Sequence, residues 1–168
     1  MKKILCMILL GLFMISNIHA QWVEKTSDSI KATQPVIDLK AIPKGAWKLV
    51  IHTNKSKEEN YQLMGETLLE EDYMIDKAIR HFHNIRTFPQ GHKKMGRDYI
   101  LNLVARDSTI VLTGLILNAE EDNVVSMPDY ARLENRGMSD SPMRECFREM
   151  MRIAMILAGD GEIEYVSE

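Results

Sequence analysis

Residues 99–106 (YILNLVAR) and 109–117 (TIVLTGLIL) are two runs of β-branched and large aliphatic side chains with only Asp107-Ser108 between them. A two-residue gap of turn formers is too short for a crossover connection, so the runs must fold back on each other as an antiparallel hairpin. That pair commits the chain to an antiparallel sheet, and every other segment has to be read as something that joins or covers it. Upstream, residues 47–53 (WKLVIHT) are rich in strand formers and stop at Asn54-Lys55-Ser56. Ser56 with Glu59 three residues on is a capping box, and Tyr61, Met64 and Leu68 follow at helical spacing, which predicts a helix over 56–71. At the other end Ser141-Pro142 opens a second helix: proline suits the first helical position, and Met143, Phe147, Met150, Ala154 and Leu157 form one apolar face. Gly159-Asp160-Gly161 ends it, and 162–166 alternates in a way that can return a last strand to the sheet.

The stretch 73–88 is less regular. As one continuous strand it would place His81 and His83 on the same face as Ile75, Ile79 and Ile85, and Phe82 on the opposite face. A bend near Phe82-His83-Asn84 avoids burying two imidazoles, with asparagine tolerating the left-handed conformation such bends need, so a hairpin whose bend carries both histidines is expected. Residues 89–96 read as a polar loop framed by Pro89, Gly91 and Gly96, and 118–140 as a long acidic loop. The order is β-α-β-β-β-β-α with a possible C-terminal strand, which is an α+β fold with two helices packed on one face of an antiparallel sheet.

Ahead of this domain, Lys2 and Lys3 precede an apolar run over 4–15, and Ile18-His19-Ala20 supplies a small residue at a cleavage point. Residues 1–20 therefore read as a secretory signal peptide, 21–44 as an N-terminal arm containing Pro35 and Pro43, and 45–168 as a single α+β domain. The expected location is exported, periplasmic or extracellular, with no transmembrane segment after cleavage, because no other apolar run approaches the roughly 18 residues that would span a bilayer. Cys6 lies inside the run behind Leu5, the wrong place for a lipid anchor. Once it is gone Cys146 stands alone, which excludes an internal disulfide and leaves stability to the core, where Cys146 reads as a small buried hydrophobe.

From the precursor to the mature chain, losing Lys2 and Lys3 takes the formal net charge from −3 to −5. This charge is unevenly placed. Residues 58–72 carry six acids, whereas 77–97 contain none and hold Lys77, Arg80, His81, His83, Arg86, His92, Lys93, Lys94 and Arg97. Those nine residues form the candidate binding surface, a basic hairpin suited to an anionic glycan, a lipid head group or an acidic envelope protein and strengthened as histidines protonate. Nucleic acid fits poorly, since the chain is acidic overall and its positive charges lack neighbouring aromatics.

The quoted elements IPKGAWKLVIHT, KSKEENYQLMGETLLEEDY, the IRT after the bend, RDSTIVLTG, NRGMSDSP before a helix and a closing GEIEY give 42–166 a resemblance to small secreted Bacteroidetes domains of unknown function. Such domains are similar in layout to the TATA-binding-protein-like or helix-grip α+β folds of some outer-membrane assembly lipoproteins. The resemblance implies a layout, without catalytic residues to carry over.

Catalytic chemistry finds little purchase in the chain. A zinc site would need His81 and His83 joined by His52 or His92, and no acid between 77 and 97 is there to hold the second imidazole nitrogen. Serines 108, 126, 139 and 141 lie in no nucleophile elbow, and Glu120-Glu121-Asp122 does not follow calcium-loop spacing. Arg144, Arg148 and Arg152 read as a solvated stripe paired with Glu145 and Glu149, and the methionines of the same helix as core filling. The expected function is that of a non-enzymatic exported domain, without a cofactor or metal, that binds a cell-envelope partner. The alternatives are a small apolar-ligand carrier with a pocket lined by Leu101, Leu103, Leu112 and Met150, or a histidine-dependent metal enzyme.

Overall fold

The computed structural model describes residues 37–92, 95–117 and 130–167. Its elements in chain order are β1 (Lys48–His52), α1 (Lys57–Glu70), β2 (Ile75–Ile79), a 3-10 turn (Arg80–Phe82), β3 (Asn84–Thr87), β4 (Gln90–His92), β5 (Arg97–Arg106), β6 (Thr109–Leu117), β7 (Tyr130–Arg132), α2 (Pro142–Ala158) and β8 (Ile163–Val166). They build an α+β fold on an open antiparallel sheet whose backbone order is β2-β3-β5-β6-β1-β8.

The long hairpin is the spine. β5 and β6 pair from Tyr99↔Ile116 to Arg106↔Thr109, and the tight turn places Ser108 at positive φ. Along β6, Ile110, Leu112, Gly114 and Ile116 point to one face and their odd-numbered neighbours to the other, as period-2 alternation requires. The inward set meets Leu49 and Ile51 of β1, Leu101 and Leu103 of β5 and Ile85 of β3 in one core. Two lanes beside the spine are each filled by two short strands. β3 and β4 lie one after the other along β5, while β1 and β7 share the flank of β6. Residues 89–96 are thus not wholly loop: the chain leaves β3 at Phe88-Pro89 and re-enters the same lane as β4, where Gln90, Gly91 and His92 pair with Tyr99, Asp98 and Arg97. β8 closes the opposite side on β1.

Both helices lie over the same face of the sheet. α1 begins with the expected box, Ser56 Oγ accepting from the Glu59 amide while Glu59 accepts from the Ser56 amide. Those hydrogen bonds to Ser56 hold the Glu59 carboxyl below its usual pKa. The buried stripe of α1 is Asn60, Met64, Thr67 and Leu68, so the inward residue of its first turn is Asn60 rather than Tyr61. Asn60 Nδ2 donates to the Arg106 carbonyl at 2.8 Å and its Oδ1 accepts from Thr53 Oγ1 at 3.0 Å, which satisfies strand-end groups that burial would otherwise orphan. α2 is started by Ser141 Oγ accepting from the Arg144 amide, carries Pro142 at its first position and buries Phe147, Met150, Ile153, Ala154 and Leu157. Each large side chain of that face contributes roughly 1.5–3 kcal/mol.

The arginine stripe of α2 does more than pair with itself. Arg148 and Arg152 bond Glu145 and Glu149 one turn back, and Arg152 Nη1 also donates to Glu71 at the end of α1, tying the two helices together. Burial pulls the Arg152 pKa down, but Glu71 and Glu149 more than offset it and the guanidinium stays charged. Below this bridge the Tyr73 and Tyr99 hydroxyls share a hydrogen bond of 2.8 Å, and burial raises both phenols.

The segment 37–44, expected to belong to an N-terminal arm, is part of the domain. Leu39 and Ile42 are buried in the core, and Asn135 Nδ2 donates to the carbonyls of Leu39, Ile42 and Pro43 at 3.0–3.2 Å. Two apolar residues three positions apart are too few for a periodic signal, which is why the proline-rich composition dominated the sequence reading. No helix among the described residues is long and apolar enough to cross a membrane. Residues 1–20, and 21–36 of the arm, lie outside the described residues.

Candidate partner-binding surface

The hairpin of β2 and β3 forms one edge of the sheet, and its bend carries both histidines as expected. The residue in the left-handed conformation is His83, with φ 49°, not Asn84. Asn84 is needed elsewhere: its Nδ2 donates to Asn102 Oδ1 and to the Leu103 carbonyl, pinning β3 to β5. The 3-10 turn then swings the two imidazoles apart. His81 packs edge-on against the exposed Phe82 ring, while His83 turns in against Tyr61 of α1, its side chain only 14% exposed.

His83 Nε2 lies 3.0 Å from Glu58 Oε2, and Arg80 Nη2 donates to Glu58 Oε1 at 2.6 Å. The Arg80 and His83 contacts hold the Glu58 carboxyl below its usual range. The acid that 77–97 lacks is thus supplied from the first turn of α1, 25 residues before His83. Asp76 likewise faces Arg86 at 3.9 Å. Of the two proposed further ligands, His52 on β1 interacts with Glu164 at 3.5 Å, and β1 stands three strand positions from β3, about 14 Å at normal spacing. Among the described residues no three His, Cys, Asp or Glu side chains are grouped to hold an ion.

The nine basic residues do not form one surface. Lys77, Arg80, His81, His83 and Arg86 gather on the β2–β3 hairpin. His92 and Arg97 pair with each other at the far end of β5, with His92 Nδ1 and Arg97 Nη1 buried and unpartnered. By the alternation of β5, Arg97 falls on the helix-covered face with Tyr99 and Leu101, whereas Lys77 and Arg86 share the uncovered face with Asn102. Lys93 and Lys94 lie outside the described residues. Contiguity in sequence was not contiguity in space, because between Arg86 and His92 the chain runs from the middle of β5, at Asn102, to its start, at Arg97.

Apolar side chains single the hairpin out more clearly than charge does. Among the described residues the large hydrophobics left exposed are Leu69, Met74, Ile79, Phe82, Phe88, Met138 and Ile156, and Met74, Ile79, Phe82 and Phe88 lie on or beside β2 and β3. Phe82 is 68% exposed and Ile79 41% at one end of β2. Met74 is 64% exposed at the other end, where its carbonyl accepts from the Phe88 amide and so places those two residues side by side. Bending the chain did not bury Phe82; it turned His83 inward to a half-buried position. Sequence reasoning passed over Leu69, Met74 and Phe88 because an apolar residue at the end of an element carries no mark of which way it points.

Close packing marks one point of the proposed apolar-ligand lining. Leu101, Leu103, Leu112 and Met150 are fully buried, and a methyl group placed on Gly114 among them would lie 2.6 Å from Leu133 Cδ2 and 3.1 Å from Met150 Sδ. A more open groove lies elsewhere, between the end of β1 and the C-terminus of α2, lined by His52, Lys55, Leu157 and Asp160.

Comparison with known proteins adds a resemblance in shape. No family model matches the chain, and no curated protein matches it. Among solved structures it is similar to a TBP-like protein from Parabacteroides distasonis, at 9% identity and a TM-score of 0.43, over 77% of this chain and 99% of that one.

Proposed function

We propose that the protein is a non-enzymatic exported binding module that engages a cell-envelope partner through the β2–β3 edge hairpin. The observation that carries this reading is the gathering of exposed apolar side chains on one edge, Met74 and Phe88 at one end of β2 and Ile79 and Phe82 at the other. Exposed apolar residues scattered singly need no explanation, whereas a group rimmed by charged residues is the usual mark of a contact surface. Lys77, Arg80, His81 and Arg86 supply that rim and favour an acidic partner. Glu58 neutralises part of the charge, so apolar contact supplies the affinity and the basic rim orients the encounter.

A photo-crosslinking residue at Phe82 or Met74, introduced in cells exporting the protein, tests the reading against the same residue at Met138, which is 84% exposed but distant in the fold from the hairpin. A discrete adduct from Phe82 and Met74 and none from Met138 is the expected result. The same adduct from all three positions, or none from the hairpin, refutes it.

A further inference from the structure

We infer that the outer edge of β2 accepts an extended, acidic peptide segment as an added strand, which rests on the hairpin being the partner-binding surface and specifies the partner's form and charge. Four strands pair on one side only: β2 and β8 at the ends of the backbone order, and the three-residue β4 and β7 in the lanes beside the spine. Each presents backbone N–H and C=O groups that no neighbouring strand satisfies, and proteins usually blunt such edges with charge or a bulge. β8 is blunted by charge: Glu164 is well exposed, and none of the exposed large hydrophobics among the described residues belongs to it. β2 carries charge too, at Asp76 and Lys77, but differs from β8 in its apolar flanks. Four of its five residues are exposed, and apolar anchors stand at both ends of the strand. A register irregularity lies between Ile75 and Lys77 and leaves Lys77, Ala78 and Ile79 in unbroken pairing with Arg86, Ile85 and Asn84. An incoming strand would thus have a short regular edge to pair with and an apolar contact at each end.

Charge decides between occupants. Asp76 is engaged by Arg86, whereas Lys77 has no carboxylate within ion-pair distance among the described residues, and Arg80 follows three residues later with its side chain 77% exposed. A second copy docking antiparallel on the same edge would set Lys77 opposite or diagonal to its own symmetry mate, with no acid free to intervene. Like charges facing each other across a strand pair are destabilising. A segment with glutamates at alternate positions sets one opposite Lys77 and extends acidic charge toward Arg80 three residues on, while its backbone pairs with the short regular edge. Backbone pairing with alternate side chains supplying specificity is the general mode of strand addition.

A fluorescein-labelled octapeptide alternating glutamate with valine and threonine provides the probe, beside the same peptide with lysine for glutamate. The acidic peptide should bind the full chain and slow amide exchange at Lys77–Ile79 at least tenfold, while the basic peptide should not bind. Lys77→Glu, exposed and checked for an unchanged melting temperature, should weaken the acidic peptide about tenfold and admit the basic one. The inference is overturned by absence of binding, by equal binding of both peptides, by protection of other strands instead of β2, by indifference to Lys77→Glu, or by sedimentation as a dimer that the same substitution disperses. If Phe82 crosslinks in the envelope while β2 exchange stays unchanged with peptide, strand addition fails and the hairpin surface stands. If neither occurs, both fail.

Discussion

Cys146 shows how burial sets a side chain's chemistry. The thiol is fully buried on α2, and burial, reinforced by Glu149 and Glu145, pushes its pKa from 9.0 up to about 12. Because the raised value belongs to the folded state, the contribution to stability is complete below about pH 9 and is lost as pH rises from there toward about 12. The melting temperature should therefore begin to fall above about pH 9. Cys146→Ala, at a cost of about 1 kcal/mol at neutral pH from the lost contacts, should make that fall shallower. An equal slope in the variant would show that the thiol does not take part. The sequence reading of Cys146 as a small buried hydrophobe agrees with its place on α2. His83 was less legible, since its neighbours Glu58 and Tyr61 come from a helix more than twenty residues away.

Whole elements followed the local pattern closely where spacing was regular. The β5–β6 hairpin, both helix caps and the apolar face of α2 stand where period 2, period 3.6 and cap chemistry put them. The short strands were harder. β4 and β7 have three residues each, too few for any periodicity, and exist because β5 and β6 are longer than the partners that first pair with them. Where α2 crosses β6 the contact is set by Gly114, whose missing side chain lets Leu133 and Met150 approach the strand. Gly114→Ala should destabilise the fold by about 1–3 kcal/mol through overpacking, measured by urea denaturation. A neutral result would mean that Leu133 can move aside and that the sheet–helix spacing is looser than the geometry indicates.

For the molecule as a whole, the boundary of the domain follows from the core rather than from composition. Leu39 and Ile42 bury apolar side chains in the same core as both helices, and Asn135 spends its amide on three carbonyls of that segment. Each of the two aliphatic side chains contributes roughly 1.5–3 kcal/mol. A chain beginning at Gly45 should therefore be less stable than the full chain by about 3–6 kcal/mol, enough to expose it to proteolysis. Equal resistance to protease and an equal melting temperature would show that the segment only rests on the domain.

Local chemistry made the fold class, the main hairpin and both helices readable from residue order, because turn residues, caps and apolar spacing act between positions only a few residues apart. Three features were decided by how distant segments meet: Glu58 beside His83, the two lanes each shared by two short strands, and the division of one run of basic residues between opposite ends of β5. Pairing across tens of residues depends on which edges the sheet leaves free as it assembles, and no short-range spacing records that.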